Sequence, residues 1–215
     1  MTSECLKIAI LASGQGTNAQ LICELAKRHP QRLQVVAIIS DRSDCPLLSA
    51  EIFSEIKKIH IAFPHGKIPL EQKRAHFDMQ LAQMAIDLKA QWLVLAGFMR
   101  MVGPELLSKF WSPELSRFKV INLHPSQLPF FPGLQAMEKS FEAAKAMGPT
   151  IHYVDEKLDH GPIIMRLPVP KFKKEKFDFF KKRVKRAEYF GISKVMLELA
   201  YLGRPQGENR EVAAF

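Results

Sequence analysis

The chain has 215 residues, of which 47% are hydrophobic and 25% charged; that balance excludes disordered, collagenous and disulfide-stapled chains and suits one large domain or two small ones. No apolar run reaches the roughly 18 residues that cross a membrane, and Met1–Lys7 followed by the short run Ile8–Ala12 does not make a signal peptide. The net charge is +9, but residues 171–186 hold nine Lys and Arg against two acids, so the excess is concentrated in one segment.

Leu6–Ala12 predicts a buried strand, followed at once by the loop Ser13-Gly14-Gln15-Gly16-Thr17-Asn18. Ala19, Leu21, Ile22, Leu25 and Ala26 then recur at helical spacing. Leu33–Ser40 predicts a second strand, Leu47–Lys57 a helix and Ile59–Phe63 a third strand. Leu70–Lys89 predicts a long helix with Phe77, Leu81, Met84, Ala85 and Leu88 on one face, and Trp92–Ala96 a fourth strand. Strands alternating with helices imply a parallel sheet. After Gly97 the pattern changes. A short helix at Pro104–Phe110 precedes a strand at Phe118–His124 and a loop marked by Pro129, Pro132 and Gly133. A helix over Gln135–Met147 leads to short strands at Thr150–Val154 and Pro162–Val169, which could pair antiparallel. Phe177–Leu202 predicts a long helix, and Gly203–Phe215 a polar, frayed tail. The fold class is α/β: a Rossmann-like, mostly parallel twisted sheet flanked by helices, with an antiparallel extension in the C-terminal half. Residues 1–202 are expected to form a single domain with lobes at about 1–97 and 98–202. Cys5, Cys23 and Cys45 are odd in number, form no CxxC and read as reduced thiols of a cytoplasmic protein.

Four segments could carry chemistry. The loop Ser13–Asn18 joins a strand to a helix N-terminus, where backbone N–H groups and the dipole favour a phosphate. It matches neither the Walker pattern nor GxGxxG, and a plain turn with a Thr N-cap is the alternative. Asn122 and His124 are two apart on a strand and so face the same way, just before Pro125-Ser126. An amide donor beside an imidazole suits acyl transfer, one group stabilising an oxyanion and the other moving protons; a hydrogen-bonded structural histidine is the alternative. Asp159, in Leu158-Asp159-His160-Gly161-Pro162, either bonds its own turn or stabilises a nearby imidazolium. Phe98, Met99 and Met101 follow the fourth strand and could line a slot for a flat heterocycle, or pack as core.

In their order and spacing these blocks resemble the glycinamide ribonucleotide transformylases, within the folate-dependent formyltransferases. The resemblance rests on SGQGTN at Ser13–Asn18, VLAGFMR at Val94–Arg100, INLHPSQLPFFPG at Ile121–Gly133, TIHYVDEKLDHGPII at Thr150–Ile164 and RVKRAEY at Arg183–Tyr189. It implies formyl transfer from 10-formyltetrahydrofolate, as donating co-substrate, to the amine of glycinamide ribonucleotide in purine synthesis, with no metal. Matched position by position, His124 is the general acid, Asn122 the oxyanion donor and Asp159 the group that raises the His124 pKa. Gly16, Thr17 and Asn18 would hold the ribonucleotide phosphate, and Lys185, Arg186, Ala187 and Glu188 would lie along the ribonucleotide. Met99, Arg100, Met101 and Val102, with Asn122, His152, Asp155, Glu156, Lys157, Leu158 and Asp159, would hold the folate, and Arg74 its glutamate tail. The lobe at 1–97 would then serve the ribonucleotide phosphate, and that at 98–202 the folate and the chemistry.

The sequence departs from the family pattern at Phe130, where Lys is common, and at Tyr189-Phe190-Gly191, where His-Tyr-Pro is usual. Gln135–Met147 is about one residue short, and Lys185-Arg186 replace more neutral residues. A formyltetrahydrofolate deformylase is the nearest alternative, but its regulatory domain has no counterpart before Leu6, and it tends to have His-His-Ser where this chain has His124-Pro125-Ser126. A nucleic-acid-binding module built on Phe172, Phe177, Phe179, Phe180 and the lysines among them is the alternative from another class. Phe177, Phe180, Val184 and Glu188 fall on one helical stripe, which favours packing over base stacking. The expected partners are therefore small molecules, with no nucleic acid and no membrane, and the expected state is a monomer or weak homodimer.

Overall fold

Apolar, β-branched runs become the central strands of a computed structural model that describes residues 4–51 and 54–213. The chain forms two compact units, Met1–Ile121 and Asn122–Phe215.

In the first unit β1 (Leu6–Leu11), β2 (Leu33–Ser40), β3 (Lys57–His60) and β4 (Trp92–Leu95) lie in the order β4-β1-β2-β3. Every pairing among them is parallel. Ile8, Ile10, Leu11, Ile38, Ile39, Leu93 and Val94 are buried throughout, as expected of a parallel sheet covered on both faces. The helix α1 (Thr17–Arg28) buries Ala19, Ile22, Cys23 and Ala26, and α3 (Leu70–Asp87) buries Phe77, Leu81, Ala82 and Ala85. Two short helices, α2 (Pro46–Ser49) and α4 (Pro104–Leu107), each begin with a proline, whose fixed φ suits a first helical turn. A small antiparallel pair, β5 (Trp111–Ser112) and β6 (Arg117–Phe118), follows.

In the second unit the strand order is β10-β9-β8-β7, built from β7 (Val120–Ser126), β8 (Met147–Tyr153), β9 (Ile163–Arg166) and β10 (Arg210–Glu211). β8 and β9 run antiparallel with an irregularity at Ile151/His152, and β9 and β10 run parallel. The helix α5 (Ala136–Glu142) precedes β8, and α6 (Phe177–Leu202) packs across that strand. The α6 stripe buries Phe180, Val184, Ala187 and Glu188, while Phe179 stays exposed.

Several expected boundaries move. The helix expected over Leu47–Lys57 is confined to Pro46–Ser49, and Lys57 already belongs to β3; Ile52 and Phe53 lie outside the described residues. Apolar spacing alone could not see that this segment must turn back within a few residues to feed a strand. The helix expected over Gln135–Met147 ends at Glu142, because Ala144 and Ala146 take left-handed φ and Met147 enters β8. The tail expected to fray from Gly203 is instead tied down. Asn209 N donates to the Ile163 carbonyl at 2.7 Å, Val212 N to the Arg166 carbonyl at 3.0 Å, and Arg210 pairs with Glu198 at 2.7 Å. Ala214 and Phe215 lie outside the described residues. Among the described residues no helix is long and apolar enough to cross a membrane.

Candidate active site

The second unit supplies one buried cluster of polar side chains. Asn122 and His124 share a face of β7, and His152 comes from β8. Asp159 comes from the loop between β8 and β9, with a left-handed φ of 50° that Asp tolerates better than most residues. Gly161 fixes that loop: a Cβ there would lie 1.9 Å from the Tyr153 carbonyl oxygen. No side chain fits so close an approach of two backbones. Gly161→Ala is expected to cost about 2 kcal/mol or more in a urea unfolding titration; wild-type stability would contradict the packing.

The Asp159 carboxylate organises the cluster. Its Oδ1 accepts from Asn122 Nδ2 at 3.2 Å, its Oδ2 accepts from Gly133 N at 2.8 Å, and the same Oδ2 lies 3.2 Å from His124 Nδ1. His124 Nε2 is 2.9 Å from the Phe131 carbonyl oxygen. Both ring nitrogens of His124 therefore face acceptors, an arrangement that a doubly protonated ring satisfies fully. Burial opposes it. His124 is 3% exposed, and desolvation pushes its pKa below the ordinary value, outweighing the upward pull of Asp159, the Phe131 carbonyl and Glu188. Asp159 thus pulls the His124 pKa upward while burial outweighs it, and sequence spacing carries no measure of burial.

His152 is held in the complementary form. Its Nδ1 lies 2.8 Å from the Tyr153 carbonyl, and its Nε2 lies 3.2 Å from Asn122 Nδ2. A neutral ring donating from Nδ1 and accepting at Nε2 satisfies both contacts. Burial is again the main reason its pKa lies below the ordinary value. The Asn122 amide thereby spends its two N–H groups on His152 and Asp159.

Sequence reading missed the loop that closes this cluster. The Phe131 carbonyl and the Gly133 N–H touch His124 and Asp159, and backbone groups carry no residue signature. Ser126 and Thr150 hold that loop: Ser126 Oγ donates to the Phe130 carbonyl at 2.9 Å, and Thr150 Oγ1 accepts from Leu128 N at 3.1 Å. Their hydroxyls beside Pro129 and Pro132 were the available signal. The Leu128–Pro129 bond is cis.

Glu188, on α6, is buried beside Lys185, with Lys185 Nζ 2.6 Å from its Oε2. Its charge acts on His124, so the two are electrostatically linked. Arg186 is exposed, and the Ala187 side chain is turned into the core. Leu158, Glu156 and Lys157 are exposed, whereas Asp155 is committed locally, accepting from Lys157 N at 2.9 Å and lying 3.3 Å from His160 Nδ1.

The remaining candidates belong to the first unit. Gly16 is the N-cap of α1, with a left-handed φ of 70° and no side-chain cap bond. A Cβ at Gly16 would fall 2.2 Å from Leu47, so both conformation and space demand glycine. Thr17 is the first helical residue and not the cap, and no acid stands in the first turn to compete with an anion. Asn18 is buried and Thr17 half-buried. After β4, Met99 is 64% and Met101 44% exposed, which excludes core packing for both, while Val102 is buried. Arg74 is exposed on α3. Among the described residues no group of three or more His, Cys, Asp or Glu could hold a metal ion.

The chain belongs to the formyl transferases, whose family pattern it matches over residues 6–196. It is 29% identical over 205 residues to the phosphoribosylglycinamide formyltransferase of Bacillus subtilis, covering 94% of this chain and 98% of that one. It is 31% identical to the enzyme of the same name from Haemophilus influenzae, covering 85% and 82% of the two chains. The crystal structure of glycinamide ribonucleotide transformylase 1 from Symbiobacterium toebii superposes with a TM-score of 0.79 at 30% identity, over 98% of this chain and 94% of that one.

Proposed function

We propose that this chain transfers the formyl group of 10-formyltetrahydrofolate to the amine of glycinamide ribonucleotide, a step of purine synthesis. The observation that carries the reading is the convergence of half-buried Asn122 with His124, His152 and Asp159, in a chain similar over most of its length to enzymes named for that reaction. The amine lone pair attacks the formyl carbon, and the carbonyl electron pair moves to oxygen. The tetrahedral centre then collapses, the carbon–N10 bond breaks, N10 takes up a proton and the former amine loses one. His124, favoured in its charged form by Asp159, serves as the proton donor once its Nε2–H turns from the Phe131 carbonyl to the substrate. Asn122 stabilises the oxyanion once an amide N–H turns from its protein acceptor to the substrate, and His152 supports that amide. Glu188 receives the ribonucleotide amine, with Lys185, Arg186 and Ala187 along the same stretch of α6.

The folate is assigned to Met99, Arg100, Met101 and Val102, to the loop from Asp155 to Asp159 and to Arg74; the exposed methionines suit a flat heterocycle. The ribonucleotide phosphate is assigned to Gly16, Thr17 and Asn18, and no metal is assigned to the reaction. The lobes at 1–97 and 98–202 are the functional division this reading implies. The assignment to the cytoplasm and to small-molecule partners alone belongs to the same proposal. Replacing Thr17 and Asn18 together by Ala is expected to weaken the ribonucleotide about tenfold and leave the folate nearly unchanged, because backbone donors at the α1 N-terminus remain. Calorimetry with each ligand checks this, and equal weakening of both would mark the loop as structural. The reaction itself is tested by donor consumption with and without the ribonucleotide. Consumption only in its presence supports transfer, and consumption without it would indicate a hydrolase.

A further inference from the structure

Because β4, β1 and β2 are neighbours and parallel, the segments that follow them leave the sheet at one edge; Leu11 is level with Leu95 on one side and Ile39 on the other. Those segments begin the loop Ser13–Asn18, the turn at Asp41 and the stretch Gly97–Gly103. A single carboxylate ties them together. Ser13 Oγ donates to Asp41 Oδ1 at 2.6 Å, and Arg100 Nε donates to Asp41 Oδ2 at 2.6 Å. The Ser13 hydroxyl in turn accepts from Met99 N at 2.9 Å, and Ser13 N donates to the Gly97 carbonyl at 3.1 Å. The Arg100 guanidinium is also fixed over the Phe63 ring, 4.1 Å from its centroid. The Asp41 side chain is 4% exposed, so its two oxygens depend on protein donors such as Ser13 Oγ and Arg100 Nε. Moving either loop would strand a buried carboxylate oxygen, which is costly.

We infer that Asp41 is a positioning residue that couples the two ligands: through Ser13 it sets the start of the phosphate loop, and through Arg100 it sets the folate segment. A ligand that orders one loop then relieves the other of its ordering cost, so each ligand tightens the other. The identities of the two ligands rest on the formyl-transfer reading; the tether does not.

The test is calorimetric binding of glycinamide ribonucleotide with and without saturating tetrahydrofolate, which carries no formyl group and so cannot react. The wild-type protein should bind the ribonucleotide at least about fivefold more tightly with tetrahydrofolate present. In Asp41→Asn, and in the milder Ser13→Ala, that ratio should fall towards one. A wild-type ratio of one, or an undiminished ratio in both variants, would overturn the coupling. Amide hydrogen exchange on the unliganded protein reads the tether independently. Asp41→Asn should speed exchange at Met99 and also in residues 14–18; exchange unchanged in both places would overturn it. Failure of the wild-type protein to bind either ligand would sink the formyl-transfer reading, and the exchange result would then decide the tether alone.

Discussion

His124→Ala is expected to lower kcat about 10²- to 10⁴-fold while leaving the affinity for tetrahydrofolate within a few fold of wild type. The imidazole is 3% exposed and packed between the Asp159 carboxylate and the Phe131 carbonyl, so it offers ligands little binding surface. What its removal takes away is the group that delivers the proton. Steady-state kinetics beside calorimetry separate the two effects. Unchanged turnover would remove His124 from the chemistry, and loss of folate binding in step with kcat would make it a structural residue.

Asp159→Asn is nearly isosteric and should still lower kcat about 10²-fold, with the fold retained. Desolvation already holds the His124 pKa below its ordinary value, and Asp159 is the largest influence pushing it back up. Losing that charge lets burial act with less opposition, so the His124 pKa falls further and less imidazolium is present at any given pH. If the imidazolium is the acid, the basic limb of the pH–rate profile moves to lower pH in the variant. NMR titration of the His124 ring should show the same downward movement. A profile and a titration that both stay in place would contradict the role given to Asp159. The lowered values also set the sign of the acid response. Unfolded chains protonate both histidines near the ordinary 6.5, while folded His124 and His152 resist. The unfolded state therefore binds more protons below that pH, and stability contributed by the neutral rings is lost as the pH falls towards the folded values.

The strands were the most legible part of the sequence. β1, β2 and β4 are short apolar runs bounded by turn residues, and both of their faces are covered, so composition alone marks them. The long helix α6 was legible to the residue, because its apolar stripe is continuous and Gly203 ends it with a left-handed φ of 72°. The two-residue spacing of Asn122 and His124 is enough to place both on one strand face. What stayed hidden depends on partners distant in sequence. β10 has only two residues and exists because β9 offers it an edge. The Phe131 carbonyl reaches His124 through a loop whose path no side-chain pattern encodes. The net direction of the His124 pKa depends on how much protein surrounds the ring, and the tether at Asp41 depends on Ser13 and Arg100, both far from it in sequence.

The most direct measurement follows the formyl carbon itself. The protein is mixed with donor labelled with ¹³C in the formyl group and with glycinamide ribonucleotide, and the label is traced by NMR. Each equivalent of donor consumed should yield one equivalent of labelled formamide on the ribonucleotide, free formate should not accumulate, and His124→Ala should slow disappearance and appearance together. Label recovered as formate, or a rate of formamide appearance independent of His124, would contradict this mechanism.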